Sequence, residues 1–296
     1  MTQATIAVVA PGDMGSAIGH RLVGAGWRVI TDLTDRSPRS RQLAAAAGII
    51  AVDGLATLAG EAEIVLSVMP PASALAFARR LAAAAGAARP LFVDLNAIAP
   101  ATAQDIAAAL GARGIDMIDG GIIGGPPRGA DAGPRIYVAG DGLARLDGLR
   151  DAGLDIRSMD GGIGAASGLK MCYASLTKGI TALQIEALVA ARALGCAEDL
   201  HAELSFSQNA LVARADAWLP QSCPKAYRWV GEMEEIADTF AAVGLTPDIF
   251  RGVADIYRFV EATPLGRETP ETRSLAQDAS DVSSILAAAL PAANSD

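Results

Sequence analysis

The sequence predicts an α/β protein in which a doubly wound parallel sheet is followed by an all-α C-terminal domain. Two observations carry this. Up to about residue 160, short β-branched runs alternate with alanine-rich stretches of helical spacing, and alternating β and α elements build a parallel sheet covered on both faces. Beyond Gly168 the β-branched runs stop and long stretches with apolar residues at helical spacing take over. The predicted domains are residues 1–163 and 164–296, and a length of 296 residues is ample for two cores.

The elements follow in order. Thr5–Val9 reads as a buried strand that stops at Pro11-Gly12 and passes into a helix over Met14–Ala25. Arg28–Thr31 is the second strand, with Arg39–Ala47 as its helix. Ile64–Val68 is the third, ending in Met69-Pro70-Pro71 before a helix over Ala72–Ala85. Leu91–Leu95 is followed by Pro100 and a helix over Ala101–Leu110, and the strands Met117–Asp119 and Arg135–Ala139 close the series. Gly48, Gly86 and Gly114 mark the breaks. In the second half, Leu169–Leu194 contains no proline and a single glycine, Gly179, so it predicts one long helix ended by Gly195. Leu200–Trp218, Pro224–Val243 and Pro247–Thr263 are further helices. From Thr263 on, polar residues dilute the signal; Ile285–Leu290 is a short apolar stretch and Pro291–Asp296 is expected to fray.

Composition narrows the function. With 24 basic and 33 acidic residues the net charge is −9, which disfavours nucleic acid and anionic membranes as partners. No apolar run approaches the ~20 residues of a membrane span, and no basic region precedes an apolar stretch as in a secretory signal. Cys172, Cys196 and Cys223 form no C-x-x-C and are odd in number, and His20 and His201 lie far apart. These features argue against a disulfide framework, Ser-His-Asp chemistry and a zinc site. They point to a cytoplasmic protein without a metal.

Six segments carry chemistry. Thr5-Ile6-Ala7-Val8-Val9-Ala10-Pro11-Gly12-Asp13-Met14-Gly15 is the strand–turn–helix of a Rossmann-type dinucleotide unit, with Gly12, Asp13, Met14 and Gly15 at the pyrophosphate. Its first glycine position is Ala10, and Pro11 is expected to push Ala10 toward extended geometry. About 20 residues on, where the adenosine ribose binds, Asp32-Leu33-Thr34-Asp35-Arg36-Ser37-Pro38-Arg39 offers guanidinium and hydroxyl groups. Arg36, Ser37 and Arg39 favour NADP through its 2′-phosphate, while Asp32 and Asp35 keep NAD possible. The strand ends at Met69-Pro70 and at Asn96 face the same crevice, where Asn96 either bonds a ribose or substrate oxygen or caps the next helix.

The glycine-rich segment Asp119-Gly120-Gly121-Ile122-Ile123-Gly124-Gly125-Pro126-Pro127-Arg128-Gly129 follows a strand, and its bare backbone suits close approach to a substrate carboxylate, though a mobile surface loop would look similar. Lys170 stands at the start of a largely apolar helix behind small residues. Helix starts disfavour cations, and a desolvated lysine serves as a general acid or base; the plain alternative is a lysine snorkelling from an amphipathic helix. Lys178, two turns on, and Tyr173 are further substrate-side residues.

In this order and spacing, these pieces over about residues 5–195 resemble the β-hydroxyacid dehydrogenase family, which includes 6-phosphogluconate and 3-hydroxyisobutyrate dehydrogenases. The family's G-L-G-x-M-G turn is matched from Gly12 onward. Its Val-Pro-Pro-like strand end looks like Val68-Met69-Pro70-Pro71, and its Asp-x-Ser-Thr-x-x-Pro segment like Asp94-Leu95-Asn96-Ala97-Ile98-Ala99-Pro100. Its catalytic lysine falls on Lys170, which the resemblance makes the general acid/base of hydride transfer. The departures are Asn96-Ala97 for Ser-Thr, Ile123 for the serine of the Ser-Gly-Gly loop, and Ala174 for the asparagine four residues after the lysine. Around Tyr227-Arg228-Trp229 the helical half looks like a subgroup with a 6-phosphogluconate-dehydrogenase-like C-terminal domain. The resemblance implies an NADP-preferring oxidoreductase acting on a hydroxyl or carbonyl carbon of a small organic substrate, and the buried apolar helical half points to a homodimer. An imine or ketone reductase and a dinucleotide-binding protein without turnover are the alternatives.

Overall fold

The structure, a computed structural model, describes residues 4–127, 133–269 and 272–291. Arg128 and Gly129 of the glycine-rich loop, and the expected fraying of 292–296, lie outside the described residues. The chain divides into two compact units, Met1–Cys172 and Tyr173–Asp296.

The first unit holds an eight-stranded sheet of β1 (Thr5–Val9), β2 (Arg28–Asp32), β3 (Ile50–Val52), β4 (Ile64–Ser67), β5 (Leu91–Asp94), β6 (Met117–Ile123), β7 (Arg135–Ala139) and β8 (Asp155–Ser158), in the order β3-β2-β1-β4-β5-β6-β7-β8. Its helices are α1 (Asp13–Gly24), α2 (Pro38–Ala46), α3 (Gly54–Glu61), α4 (Pro71–Ala84), α5 (Pro100–Gly111) and α6 (Asp147–Asp151). Pro38, Pro71 and Pro100 open their helices at the first position, where a missing N–H costs nothing. Ile6 and Val8 of β1 point into one apolar cluster and Ala7 and Val9 into the other. Such a two-sided strand must be apolar throughout, and each large buried side chain contributes about 1.5–3 kcal/mol.

The sheet departs from a wholly parallel one at β6–β7, which is antiparallel, with Gly121 opposite Tyr137. No crossover helix lies between these strands among the described residues, and antiparallel pairing is what such a direct return gives. Four short elements of this unit went unpredicted. β3 and β8 lie at the two sheet edges, where Ile50, Ala51, Arg157 and Ser158 are exposed; α3 lies between β3 and β4, and α6 between β7 and β8.

Helix α7 (Ala165–Ala193) begins in the first unit and continues into the second. It starts four residues ahead of the predicted Leu169, so Lys170 stands in its second turn. The second unit adds α8 (Ala197–Ser207), α9 (Asn209–Ser222), α10 (Ala226–Ala242), α11 (Asp248–Ala262), α12 (Pro264–Arg267) and α13 (Ala279–Ala288). Two helices broken at Gln208 replace the single one predicted over Leu200–Trp218, and Pro220 lies inside the last turn of α9. α13 is a full helix: Asp278 accepts from the Asp281 N–H at 2.9 Å, and Val282 and Leu286 are buried. Trp229 meets Tyr257 edge-on at 5.2 Å in the core of this unit. Among the described residues, no helix is long and apolar enough to cross a membrane.

Candidate active site

The order 3-2-1-4 reverses direction at β1, and in such sheets ligands bind outside the carboxyl ends of the strands at that reversal. The turn after β1 is Ala10-Pro11-Gly12. Ala10 takes φ +59°, the left-handed region, and its carbonyl accepts from the Gly12 N–H at 2.7 Å. The extended geometry expected from Pro11 is overturned: clash with proline disfavours the right-handed region, and the tight turn selects the left-handed one. A Cβ on Gly15 would stand 2.9 Å from the Ala10 oxygen and 3.3 Å from Val8, so glycine here lets α1 close on β1. A Cβ on Gly12 would meet no protein atom within 4 Å, and Gly12 has an ordinary φ of −78°. Nothing in the fold demands glycine at 12; bare backbone there matters to a ligand approaching the α1 N-terminus. This cradle fits a pyrophosphate.

Beside it stands the start of α2. Ser37 caps this helix by accepting from the Ser40 N–H at 3.2 Å. Arg39 donates to Asp13 at 2.6 Å, tying the first turn of α2 to that of α1. Arg41 donates to the carbonyls of Leu33, at 2.6 Å, and Arg36, at 3.2 Å, and so braces the loop that carries Arg36 and Ser37.

At the ends of β4 and β5, Asn96 is buried within a network. Its Nδ2 donates to Ser67 Oγ and Asp94 Oδ2, both at 2.9 Å, and its Oδ1 accepts from the Met69 N–H at 2.6 Å. Its own N–H donates to Asp94 Oδ1 at 2.9 Å. Asn96 thus latches the β4 loop, with half-buried Met69 and exposed Pro70, to β5. The cap of α5 is Ala99, not Asn96.

Against the next strand, β6, stands Lys170 of α7. Asp119 on β6 has 0% exposure, and its Oδ2 accepts from the N–H groups of Gly164, Ala166 and Ser167 at 2.8–3.0 Å. Its Oδ1 accepts from Ser167 Oγ at 2.5 Å. These are the orphan donors of the α7 N-terminus, and a carboxylate there also opposes the helix dipole. Two residues on, a Cβ on Gly121 would lie 2.9 Å from Lys170 Cβ and 3.0 Å from the Ala166 oxygen, so bare strand backbone lies against the Lys170 stem. Lys170 is half-buried. Ile123, the last residue of β6, is itself buried, and Gly124, at φ +123°, and Gly125 are exposed directly after it.

Residue type marked Lys170 and the glycines. The roles of Asp119 and Ser67 were missed, because their partners lie 29–48 residues away; Asp94 bonds Asn96 only two residues on, but its part in holding that amide shows only once Ser67 is beside it. An acidic residue ending an otherwise apolar strand was the available signal.

In the second unit, Tyr173 is exposed. Lys178, expected as a substrate contact, forms an ion pair with the buried Glu232 and stands 5.3 Å from the Trp229 ring centre. Tyr227 and Arg228 on α10 are exposed while Trp229 is buried. Among the described residues, no group of three His, Cys, Asp or Glu side chains is placed to hold a metal ion.

Residues 5–145 match the family model of the NAD binding domain of 6-phosphogluconate dehydrogenase, and residues 191–260 match a domain of unknown function (DUF1932). The 3-hydroxyisobutyrate dehydrogenase of Pseudomonas aeruginosa is 32% identical over 148 residues, 47% of this chain and 48% of that protein. The chain thus spans about half the length of the curated relatives it matches. The solved structure of Mycobacterium tuberculosis 3-hydroxyisobutyrate dehydrogenase with L-serine is 25% identical, with a TM-score of 0.68, over 96% of this chain and 99% of that one. A reductive aminase from Aspergillus terreus in complex with NADPH shares the fold, with a TM-score of 0.57 at 16% identity over 92% of this chain and 98% of that one.

Proposed function

We propose that this chain, with its 6-phosphogluconate-dehydrogenase-type NAD binding domain and its DUF1932 domain, is a member of the β-hydroxyacid dehydrogenase family, an NADP-preferring oxidoreductase acting on a hydroxyl or carbonyl carbon of a small organic substrate. The observation that carries the reading is Lys170, held against Gly121 on a helix whose first turn is fixed by Asp119, on the sheet that carries the Gly12 cradle. Gly12, Met14 and Gly15 would hold the pyrophosphate at the α1 N-terminus, and Arg36, Ser37 and Arg39 the 2′-phosphate. Met69 and Pro70, set by Asn96, would wall the crevice. The cofactor supplies or accepts the hydride. Lys170 Nζ gives a proton to the substrate oxygen during reduction and takes it back during oxidation, a role worth about 10²–10⁴-fold in rate. The N–H groups of exposed Gly124 and Gly125 offer a carboxylate two donors.

The lack of a hydroxyl at Ile123 favours a second reading, reduction of a less charged ketone or imine. On α7, Tyr173, Leu176, Ile180 and Leu183 stand exposed at helical spacing, which supports a homodimer, and the compositional features above support a cytoplasmic protein.

Thermal shift with NADPH and NADH, followed by turnover on hydroxy acids, ketones and imines, tests the assignment. We expect the larger shift with NADPH, and Lys170→Ala should lose at least about 100-fold in turnover with its NADPH shift intact. A larger shift with NADH overturns the arginine assignment. NADPH binding without turnover of any substrate leaves a binding protein.

A further inference from the structure

We propose that Asp13 sets the dinucleotide affinity of this protein, and its choice between NADP and NAD, by competing with the cofactor 2′-phosphate for Arg39. The inference rests on the reading that the crevice after β1 takes a dinucleotide.

Asp13 is the first residue of α1, directly after the open Gly12, and Arg39 is the second residue of α2, directly after its cap and Pro38. Arg39 Nη2 donates to Asp13 Oδ1 at 2.6 Å. Both side chains reach solvent, at 44% and 37% exposure, so the pair can exchange partners without unfolding either helix. Asp13 therefore does two things that a bound phosphate does: it places negative charge at the α1 N-terminus and satisfies a guanidinium beside it.

The two effects separate by ligand. Every dinucleotide brings pyrophosphate to the α1 N-terminus, so repulsion from Asp13 weakens NADH and NADPH alike. Only NADPH carries a 2′-phosphate that must take Arg39 from Asp13. Arg41 cannot substitute, since its guanidinium braces the carbonyls of Leu33 and Arg36. A carboxylate in the glycine turn thus lowers affinity for both cofactors and lowers it further for NADPH. Asp13 restrains the preference that the arginines create.

The test uses the full chain as wild type, Asp13→Asn, Arg39→Gln and the double variant, each titrated with NADPH and with NADH by cofactor fluorescence. Asp13→Asn should tighten NADPH about fivefold, as expected for releasing an exposed ion pair, and NADH by less than about twofold. In the Arg39→Gln background, Asp13→Asn should change both cofactors by the same factor, because the guanidinium is gone. Equal tightening of both cofactors in the single variant overturns the competition. So does weaker NADPH binding, which would make Asp13 a residue that presents Arg39 to the phosphate. If the wild type binds neither cofactor, the dinucleotide reading itself falls and takes this inference with it. Circular dichroism of the four proteins separates folding from binding.

Discussion

Asp119 in the first unit and Glu232 in the second are both buried carboxylates, at 0% and 6% exposure, yet they are partnered in opposite ways. Asp119 accepts from three backbone N–H groups and one hydroxyl, so it fixes main chain: the start of α7 relative to β6. Glu232 is paired with the Lys178 ammonium, so it fixes side chains between α7 and α10. An ion pair can be replaced as a unit by apolar groups, whereas backbone donors survive every substitution except proline. The first arrangement suits the helix turn that bears Lys170, the general acid/base proposed above. The second suits helix packing.

The largest effect should come from replacing the two carboxylates in parallel. Asp119→Ala leaves three N–H groups without their acceptor and should cost at least about 3 kcal/mol in calorimetric unfolding of the full chain. The double change Lys178→Met with Glu232→Leu should be near neutral, within about 1 kcal/mol, or stabilising. Equal damage from the two would abolish the distinction.

A smaller effect separates the units by pH. Burial pushes the Cys223 thiol from 9.0 up to about 12 and raises the Tyr257 hydroxyl, both in the second unit. Above pH 9 the unfolded chain releases the thiol proton while the folded one keeps it. The native state then binds more protons, and stability falls by up to about 1.4 kcal/mol per pH unit as pH rises from 9 toward 12, with the tyrosine adding to the fall only above its ordinary value of 10.0. Trp218 and Trp229 report on this unit, and their fluorescence midpoint in urea should drop between pH 9 and pH 11. A flat midpoint would mean that the thiol titrates normally.

The smallest effect lies in the turn after β1. Ala10 holds φ +59°, which costs an L-residue about 1–2 kcal/mol, so Ala10→Gly should stabilise the first unit by about 1 kcal/mol, read as a higher unfolding temperature. A neutral result would mean that the Ala10 methyl makes contacts worth as much as the strain.

Much of the first unit was legible because its central strands are buried on both faces and read as unbroken apolar runs, as in Ile64–Ser67. The edge strands were not, since Asp155–Ser158 has no buried residue to mark it. The start of α7 was obscured because Ala165, Ala166, Ser167 and Gly168 are small and carry no helical period, and Ala and Ser hid α13 in the same way. In the candidate site, chemistry was readable one residue at a time: Gly12, Gly15, Arg39 and Lys170 stand out by type. Pairings were not. Nothing in the local sequence joins Asp119 to Ser167, 48 residues later, or Asn96 to Ser67 on the neighbouring strand. For the same reason Asn96 looked available for a ligand when its amide joins two strand ends.

The Asp119 contacts also decide where this chain can be divided. A fragment stopping at Ile163 ends just before Gly164, Ala166 and Ser167, and would bury a carboxylate with none of its four donors. A fragment running to Cys172 keeps them all, along with the turn of helix that bears Lys170. The last residues of the first unit are therefore the opening turns of a helix that looks, by composition, as though it belongs wholly to the second.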